Sequence, residues 1–128
     1  MASKPTLEKV MKKADKLLTP LMRKVCPKCE ACGNDMQVAH HWIEKSRSNY
    51  LRYDPRNLIS LCHSCHTKIH NKFGNSVTGC LDVADIIIQK RGKKWKKQLE
   101  KDSAKIIKKD VLWATEQYER LKKIHDEA

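Results

Sequence analysis

Four cysteines in two C-x2-C pairs constrain this chain more than any other feature of its sequence. The first pair is Cys29 and Cys32, and the second is Cys62 and Cys65. Each pair can present two thiolates to one tetrahedral ion, and four thiolates form a typical structural zinc site. One such pair alone would also suit a redox motif, but two pairs in a small basic protein favour zinc. We therefore expect structural Zn²⁺ to hold the centre of the chain together.

A third cysteine leaves the register of the first pair open. Cys26 stands in the same C-x2-C spacing with Cys29, so that these two could also supply ligands. Gly33 directly follows Cys32, and a tight knuckle commonly needs a glycine at that position. The glycine favours the later pair. Cys26 is then a spare thiol, and Cys80 is interpreted as an ordinary small buried residue.

Length and charge limit the class of protein further. A chain of 128 residues allows one compact domain with a helical extension, and two independent cores are not expected. The formal net charge of +12 points to a polyanionic partner, most simply nucleic acid. The sequence has neither an apolar run of membrane-spanning length nor the apolar segment of a secretory signal. We expect a cytoplasmic protein that makes no contact with a membrane.

The distribution of residue types divides the chain into three segments. Residues 1–25 carry an amphipathic helical stripe, with Thr6 as its N-cap and Pro20 predicted to end one helix and open another. Residues 26–75 hold five of the six cysteines and form the expected zinc-stabilised core. Residues 76–128 form a basic helical extension expected to pack on this core, with Gly92 as a break and Asp110 opening a final helix. Within this extension, residues 86–88 are three isoleucines that could also form a strand.

The central segment has the pattern of a small α+β unit. Residues 36–40 and 57–61 have the length and composition of strands, with a polar, basic connection between them. A short helix is predicted from Ser64, ending before Gly74. Two adjacent histidines, His40 and His41, close the first strand, and the helix carries two more at the i, i+4 positions 66 and 70. Four thiolates already saturate a tetrahedral zinc ion, so these imidazoles have no structural task there.

These residues together resemble the HNH endonuclease motif. The resemblance rests on residues 40–43, 57–62 and 65–70, and the paired helix histidines are similar to those of the colicin-type enzymes. It implies a ββα-metal (His-Me finger) core over a four-cysteine zinc site, flanked by N- and C-terminal helices. It also implies a metal-dependent DNA endonuclease that hydrolyses phosphodiester bonds, with Asn57 fixing the connection and helping to orient His41.

The first strand and the short helix can bring three histidines together around a second ion. We expect His40, His66 and His70 to ligate this catalytic divalent ion, and His41, which points to the opposite side of an extended strand, to act as general base. Imidazole ligands favour transition metals, so Mn²⁺ or Ni²⁺ should support cleavage at least as well as Mg²⁺, with Zn²⁺ bound tightly but inhibitory.

Two groups of cations are predicted to contact DNA. One lies in the connection between the strands, and the other in the lysine-rich stretch near the C-terminus: Lys45, Arg47, Arg52 and Arg56, then Lys93, Lys94, Lys96 and Lys97. No recognition helix is evident, so strong sequence specificity is not expected. The flanks, around Asp15, residues 51–57 and residues 90–95, are similar to the phage recombination protein NinG (Rap) family. This similarity implies a phage or prophage protein of the bacterial cytoplasm, with phage or host recombination proteins as partners.

Two other functions are compatible with the cysteines and the charge. The first is a non-catalytic, zinc-stabilised nucleic-acid-binding module. The second is a phage accessory protein that docks through its terminal helices on a recombination or packaging complex. A binding module needs neither the pair His40 and His41 nor histidines on a facing helix. The histidines therefore favour the enzyme. The sequence leaves open whether the substrate is duplex, single-stranded or branched, and the oligomeric state.

Overall fold

The computed structural model describes residues 5–70 and 82–128. Cys80 and the predicted end of the third helix near Gly74 lie outside these residues. The elements in chain order are α1 (Leu7–Val25), β1 (Val38–His41), α2 (Asn49–Arg52), β2 (Leu58–Leu61), α3 (His63–His70), α4 (Val83–Arg91), α5 (Lys93–Asp102) and α6 (Val111–Glu127), with a 3₁₀ turn at Pro55–Asn57 before β2. The described part of the chain is thus a small α+β fold, as predicted, and it contains six α-helices.

The two strands form an antiparallel pair that α3 follows directly. His41 lies opposite Leu58, and Val38 lies opposite Leu61. Strand β1 begins two residues later than predicted and includes His41, whereas β2 begins one residue later. All of β2 is buried, and α3 contacts both strands. This order gives the ββα unit that the sequence indicated.

The N-terminal helix continues through its proline. Thr6 caps α1 by accepting a hydrogen bond from Lys9 N at 3.2 Å, as predicted. The predicted break at Pro20 is wrong, because α1 is one element from Leu7 to Val25. The lost backbone hydrogen bond is outweighed by burial on both sides of the proline, since Leu18 and Leu21 pack in the same core.

The two terminal helices pack mainly on each other. Helix α1 makes its most extensive contact with α6, and buried residues of both enter one core with Tyr53 and Leu58. Asp110 caps α6 by accepting a hydrogen bond from Trp113 N at 2.8 Å, as expected. On the inner face of α6, Ala114 and Leu121 are fully buried, whereas Val111 is 36% exposed.

Helices α4 and α5 pack on the central unit, where α4 contacts α3 and α5 contacts α2. The three isoleucines lie in α4, not in a strand, because Asp82 caps this helix and Ile87 packs against Ile59 and Ile69. Gly92 ends α4 with φ of +97°, a left-handed conformation that glycine adopts without strain. No helix in the two described ranges is both long and apolar enough to cross a membrane.

Candidate metal centres and active site

The four predicted zinc ligands meet at one point. The Sγ atoms of Cys29, Cys32, Cys62 and Cys65 all lie within 4.8 Å of one another. The distance from Cys32 Sγ to Cys62 Sγ is 3.6 Å. Four sulfurs bound tetrahedrally to one zinc ion at about 2.3 Å lie roughly 3.8 Å apart, so the donor set fits zinc.

The local backbone explains why the later cysteine register forms. Gly33 has φ of +83°, and its N–H donates to Cys29 O at 2.9 Å, which closes the first knuckle. The Sγ of Cys26 faces Lys28 O at 3.7 Å and is not part of the cluster. Burial disfavours the Cys29 thiolate, but backbone groups of the knuckles outweigh it and lower the pKa of Cys29 to about 7. Burial raises the pKa of Cys65.

A bidentate ion pair joins the first knuckle to α4. Arg91 Nε and Nη2 donate to the Glu30 carboxylate at 2.8 and 2.7 Å, and Arg91 also donates to Leu58 O at 2.8 Å. The same carboxylate accepts the N–H of Ser60 at 2.9 Å. Glu30 lies between two zinc ligands in sequence, so this network holds the cysteine cluster in place against β2.

A second donor cluster lies where β1 faces α3. The imidazole nitrogens of His40, His66 and His70 lie within 4.8 Å of one another, and the two Nε2 atoms of the helix pair are 3.0 Å apart. Nitrogens that share one ion at about 2.1 Å lie roughly 3.0–3.4 Å apart, so this set also fits a metal. Three neutral nitrogen donors suit a transition metal better than Mg²⁺.

Burial favours the neutral form of two of these imidazoles. It lowers the pKa of His40 to about 4, with the neighbouring His66 and His70 adding to the effect. Burial likewise lowers the pKa of His66. A neutral imidazole is the form that binds a metal, so His40 and His66 need no proton loss at neutral pH to accept one.

His41 follows His40 directly but makes a different contact. Its Nε2 lies 2.9 Å from the main-chain oxygen of Arg52. Burial lowers the pKa of His41, the hydrogen bond to Arg52 opposes that effect, and nearby Lys45 reinforces it. A carbonyl can only accept, so the neutral ring carries its proton on Nε2 and leaves the Nδ1 lone pair free.

Asn57 connects the end of β1 to the segment that holds His41. Its Oδ1 accepts Ile43 N–H at 2.7 Å, and its Nδ2 donates to Ile43 O at 3.0 Å and Leu51 O at 3.3 Å. The side chain is completely buried. It makes no contact with either donor cluster; instead it fixes the backbone next to Arg52.

The histidines line an open cleft of about 560 Å³. His40, His41, His66 and His70 all contribute to its surface, together with Trp42, Glu44, Lys45 and Asp82. The histidine cluster and His41 therefore border the same open space. The sequence did not predict that Glu44 and Asp82 border the cleft, because neither residue belongs to a recognisable motif.

The predicted DNA-contacting cations fall into two groups. Lys45, Arg47 and the lysines of α5 at positions 93, 94 and 97 are exposed or line the cleft. Arg52 and Arg56 instead form ion pairs within the chain: Arg52, which is largely buried, with Asp15, and Arg56, which is 45% exposed, with two carboxylates. Lys96 pairs with Glu100 at 3.3 Å.

Sequence reasoning missed the acceptor for His41 and what surrounds it. Arg52 contacts His41 through its main-chain oxygen. Every residue has such an oxygen, so the type of side chain at position 52 does not reveal the contact. The guanidinium of Arg52 is held by Asp15 of α1, at Nε–Oδ1 3.2 Å and Nη2–Oδ2 2.7 Å. The opposite charges of the two residues were visible, but nothing in the sequence showed that α1 packs beside this segment.

A ββα unit with a four-thiolate cluster suited to zinc, a three-imidazole cluster and an adjoining histidine has the arrangement of a metal-finger site. The family model described as HNH endonuclease matches residues 26–72, which contain every one of these groups. The resemblance of the central segment is therefore confirmed. It indicates a nuclease that binds a divalent metal and acts on DNA.

Neither the curated proteins nor the solved structures include a significant match to the chain. The match names the HNH family alone, so the similarity to the NinG family stays a prediction.

Proposed function

We propose that this protein is a metal-dependent DNA endonuclease in which His41 is the general base and His40, His66 and His70 hold the catalytic ion. The observation that carries the proposal is the pairing of two environments on adjacent residues of β1. His40 joins two imidazoles of α3, with ring centroids 5.2 and 5.0 Å away, while His41 is tied to Arg52 O with Nδ1 free.

The residues suit hydrolysis of a phosphodiester. The free Nδ1 of His41 takes a proton from water as the water oxygen bonds to phosphorus. The bond from phosphorus to the departing 3′-oxygen then breaks, and that oxygen takes a proton from solvent. A divalent ion at the three histidines, when bound, supplies Lewis-acid stabilisation of the phosphoryl oxygens and of the leaving oxygen. Zinc at the cysteines is structural, because four thiolates leave it no open position.

Exposed cations place the DNA backbone at the cleft. Lys45 lines the cleft beside His41, and Arg47 follows two residues later on an exposed turn. Lysines 93, 94 and 97 of α5 extend the positive surface. Arg52 is paired with Asp15 and only 20% exposed, so its side chain is not proposed to contact phosphate. Arg56 is proposed as a weaker contact, because its guanidinium already has carboxylate partners. All of the proposed contacts would be to phosphate and would contribute little sequence specificity.

The experiment that tests the proposal is cleavage of supercoiled plasmid by the zinc-loaded protein with Mn²⁺, Ni²⁺, Mg²⁺ or Zn²⁺ added. We expect nicking with at least one ion, and a loss of about a hundredfold or more in His41→Ala. DNA affinity and metal binding at the histidines should persist in that variant. Equal nicking by wild type and His41→Ala with every ion would instead favour the non-catalytic binding module.

The biological setting is a second part of the proposal. We infer a phage or prophage protein of the bacterial cytoplasm that acts in DNA recombination, from the similarity of the flanks to the NinG family. Comparing cleavage of branched, single-stranded and duplex substrates of the same sequence tests this role. Preference for a branched substrate would support it, and preference for unbranched duplex would contradict it.

A further inference from the structure

We propose that Asp15, in the N-terminal helix, is a positioning residue for the general base, acting through Arg52. This inference rests on the proposed function of His41 and extends it beyond the segment that matches the nuclease family. Asp15 touches neither the histidine cluster nor His41. It binds the side chain of the residue whose main-chain oxygen holds His41.

The contact between Asp15 and Arg52 is well defined. Two nitrogens of the guanidinium meet two oxygens of the carboxylate, at 3.2 and 2.7 Å, so the pair is bidentate. The two side chains are only 20% and 27% exposed. A bidentate pair with this burial fixes the orientation of the arginine, and with it the peptide unit that carries the Arg52 carbonyl.

The surrounding segment shows why this carbonyl needs support. Each of the three carbonyls of residues 51–53 accepts a hydrogen bond from a side chain elsewhere in the chain, from Asn57 at 3.3 Å, His41 at 2.9 Å and Arg120 at 2.9 Å. Tyr53 also donates its hydroxyl to Met11 O in α1, at 3.1 Å. Within the described residues, α1 and α6 therefore hold this segment from outside, and the pair of Asp15 and Arg52 is the link closest to His41.

The consequence for catalysis is geometric. A displaced carbonyl would let the His41 ring rotate, so that Nδ1 no longer meets the attacking water, while the ligands of the ion stay in place. Small errors in the position of a catalytic group cost about tenfold to a hundredfold in rate. We therefore expect removal of Asp15 to lower kcat within that range and to leave KM and metal binding near their wild-type values.

The test compares Asp15→Ala, Arg52→Ala and the double variant, in the full zinc-loaded protein on plasmid DNA. Replacing Arg52 removes only its side chain and keeps the carbonyl, so both single variants lose the same link. We expect each to lower kcat alike, the double variant to be no slower than either, and Asp15→Glu to recover part of the loss. Glu30→Gln is the matched control, because it weakens a bidentate arginine pair of similar burial away from His41. It should lower stability without lowering kcat, provided that its zinc content is unchanged.

A phosphate-binding Arg52 gives the opposite pattern. Asp15→Ala would then release the guanidinium toward DNA and lower KM, and Arg52→Ala would raise KM. Either result would overturn the proposal, and so would an unchanged kcat in Asp15→Ala.

A second readout does not need cleavage. In ¹⁵N spectra of the imidazoles at fixed pH, His41 should show the Nε2–H form in wild type and a mixture of tautomers in Asp15→Ala. If wild type fails to cleave DNA, the proposed function fails, and these spectra still decide whether Asp15 positions His41.

Discussion

The Nε2 of His41 lies 2.9 Å from the main-chain oxygen of Arg52, and this contact separates two adjacent histidines into different roles. His40 faces the imidazoles of α3, whereas His41 is turned toward the connection between the strands. Alternation along an extended strand sends successive side chains to opposite faces. Two identical neighbouring residues thus acquire different partners because they lie on opposite faces of one strand.

The first prediction concerns the structural metal. Cys62→Ser should remove the tightly bound zinc and unfold or severely destabilise the protein, because metal binding supplies part of the folding free energy. Metal content and thermal unfolding of the purified variant measure this. Cys26→Ser is the matched control and should keep its zinc, since Cys26 lies outside the cluster. Loss of zinc in the control, with zinc retained in Cys32→Ser, would show that the earlier cysteine register is correct.

The second prediction concerns the histidine cluster. His66→Ala should weaken metal binding there by more than the roughly hundredfold cost of losing an outer-shell partner, and cleavage should fall with it. Zinc at the cysteines should be unaffected. Titration with Co²⁺, followed by its visible absorption, reports the histidine site directly. His63→Ala, an exposed histidine of the same helix, should bind as wild type does. Equal affinities in the two variants would remove His66 from the ligand set.

The same site predicts which ion supports cleavage. Three imidazole nitrogens and no carboxylate among the closest donors favour Mn²⁺ or Ni²⁺ over Mg²⁺, which prefers oxygen ligands. Initial nicking rates at matched concentrations of each chloride salt, with the zinc content held constant, measure the preference. Activity restricted to Mg²⁺ would argue that the ion is held by oxygen ligands elsewhere in the cleft.

The third prediction concerns Asn57. Asn57→Ala leaves Ile43 N–H and two carbonyls without a side-chain partner in a buried place, which should cost about 3 kcal/mol in the free energy of unfolding. Urea unfolding of the zinc-loaded protein measures it. Ser60→Ala is the control from the same strand region, because Ser60 Oγ is buried and has no hydrogen-bond partner among the described residues. That change should be neutral or stabilising. Equal costs in both variants would contradict a positioning role for Asn57.

The sequence was sufficient for the parts of the site that depend on side-chain type and spacing. Paired cysteines specify a tetrahedral ion, and histidines at i, i+4 must share a helix face. It was insufficient where the contact is made by backbone or set by packing. The acceptor for His41 is a carbonyl, which every residue has. Pro20 obeys the local rule for a helix break, but burial of α1 against α6 overrides that rule.

The last prediction concerns how DNA is held. Replacing the four lysines of α5 by glutamine should weaken DNA binding for all sequences and reduce its dependence on salt. Each lost phosphate contact lowers the slope of log K against log salt by about 0.9 on duplex DNA, so the expected reduction is about 3. Lys96 is expected to contribute least, because it pairs with Glu100. Fluorescence anisotropy at several salt concentrations gives the slopes.

The matched control replaces four exposed lysines of α1, at positions 9, 12, 13 and 16, which removes the same charge from another helix. A smaller change in the control would locate the contacts on α5. Equal changes would mean that net charge alone attracts the DNA, and an unchanged slope in the α5 variant would make its lysines an ordinary solvated face.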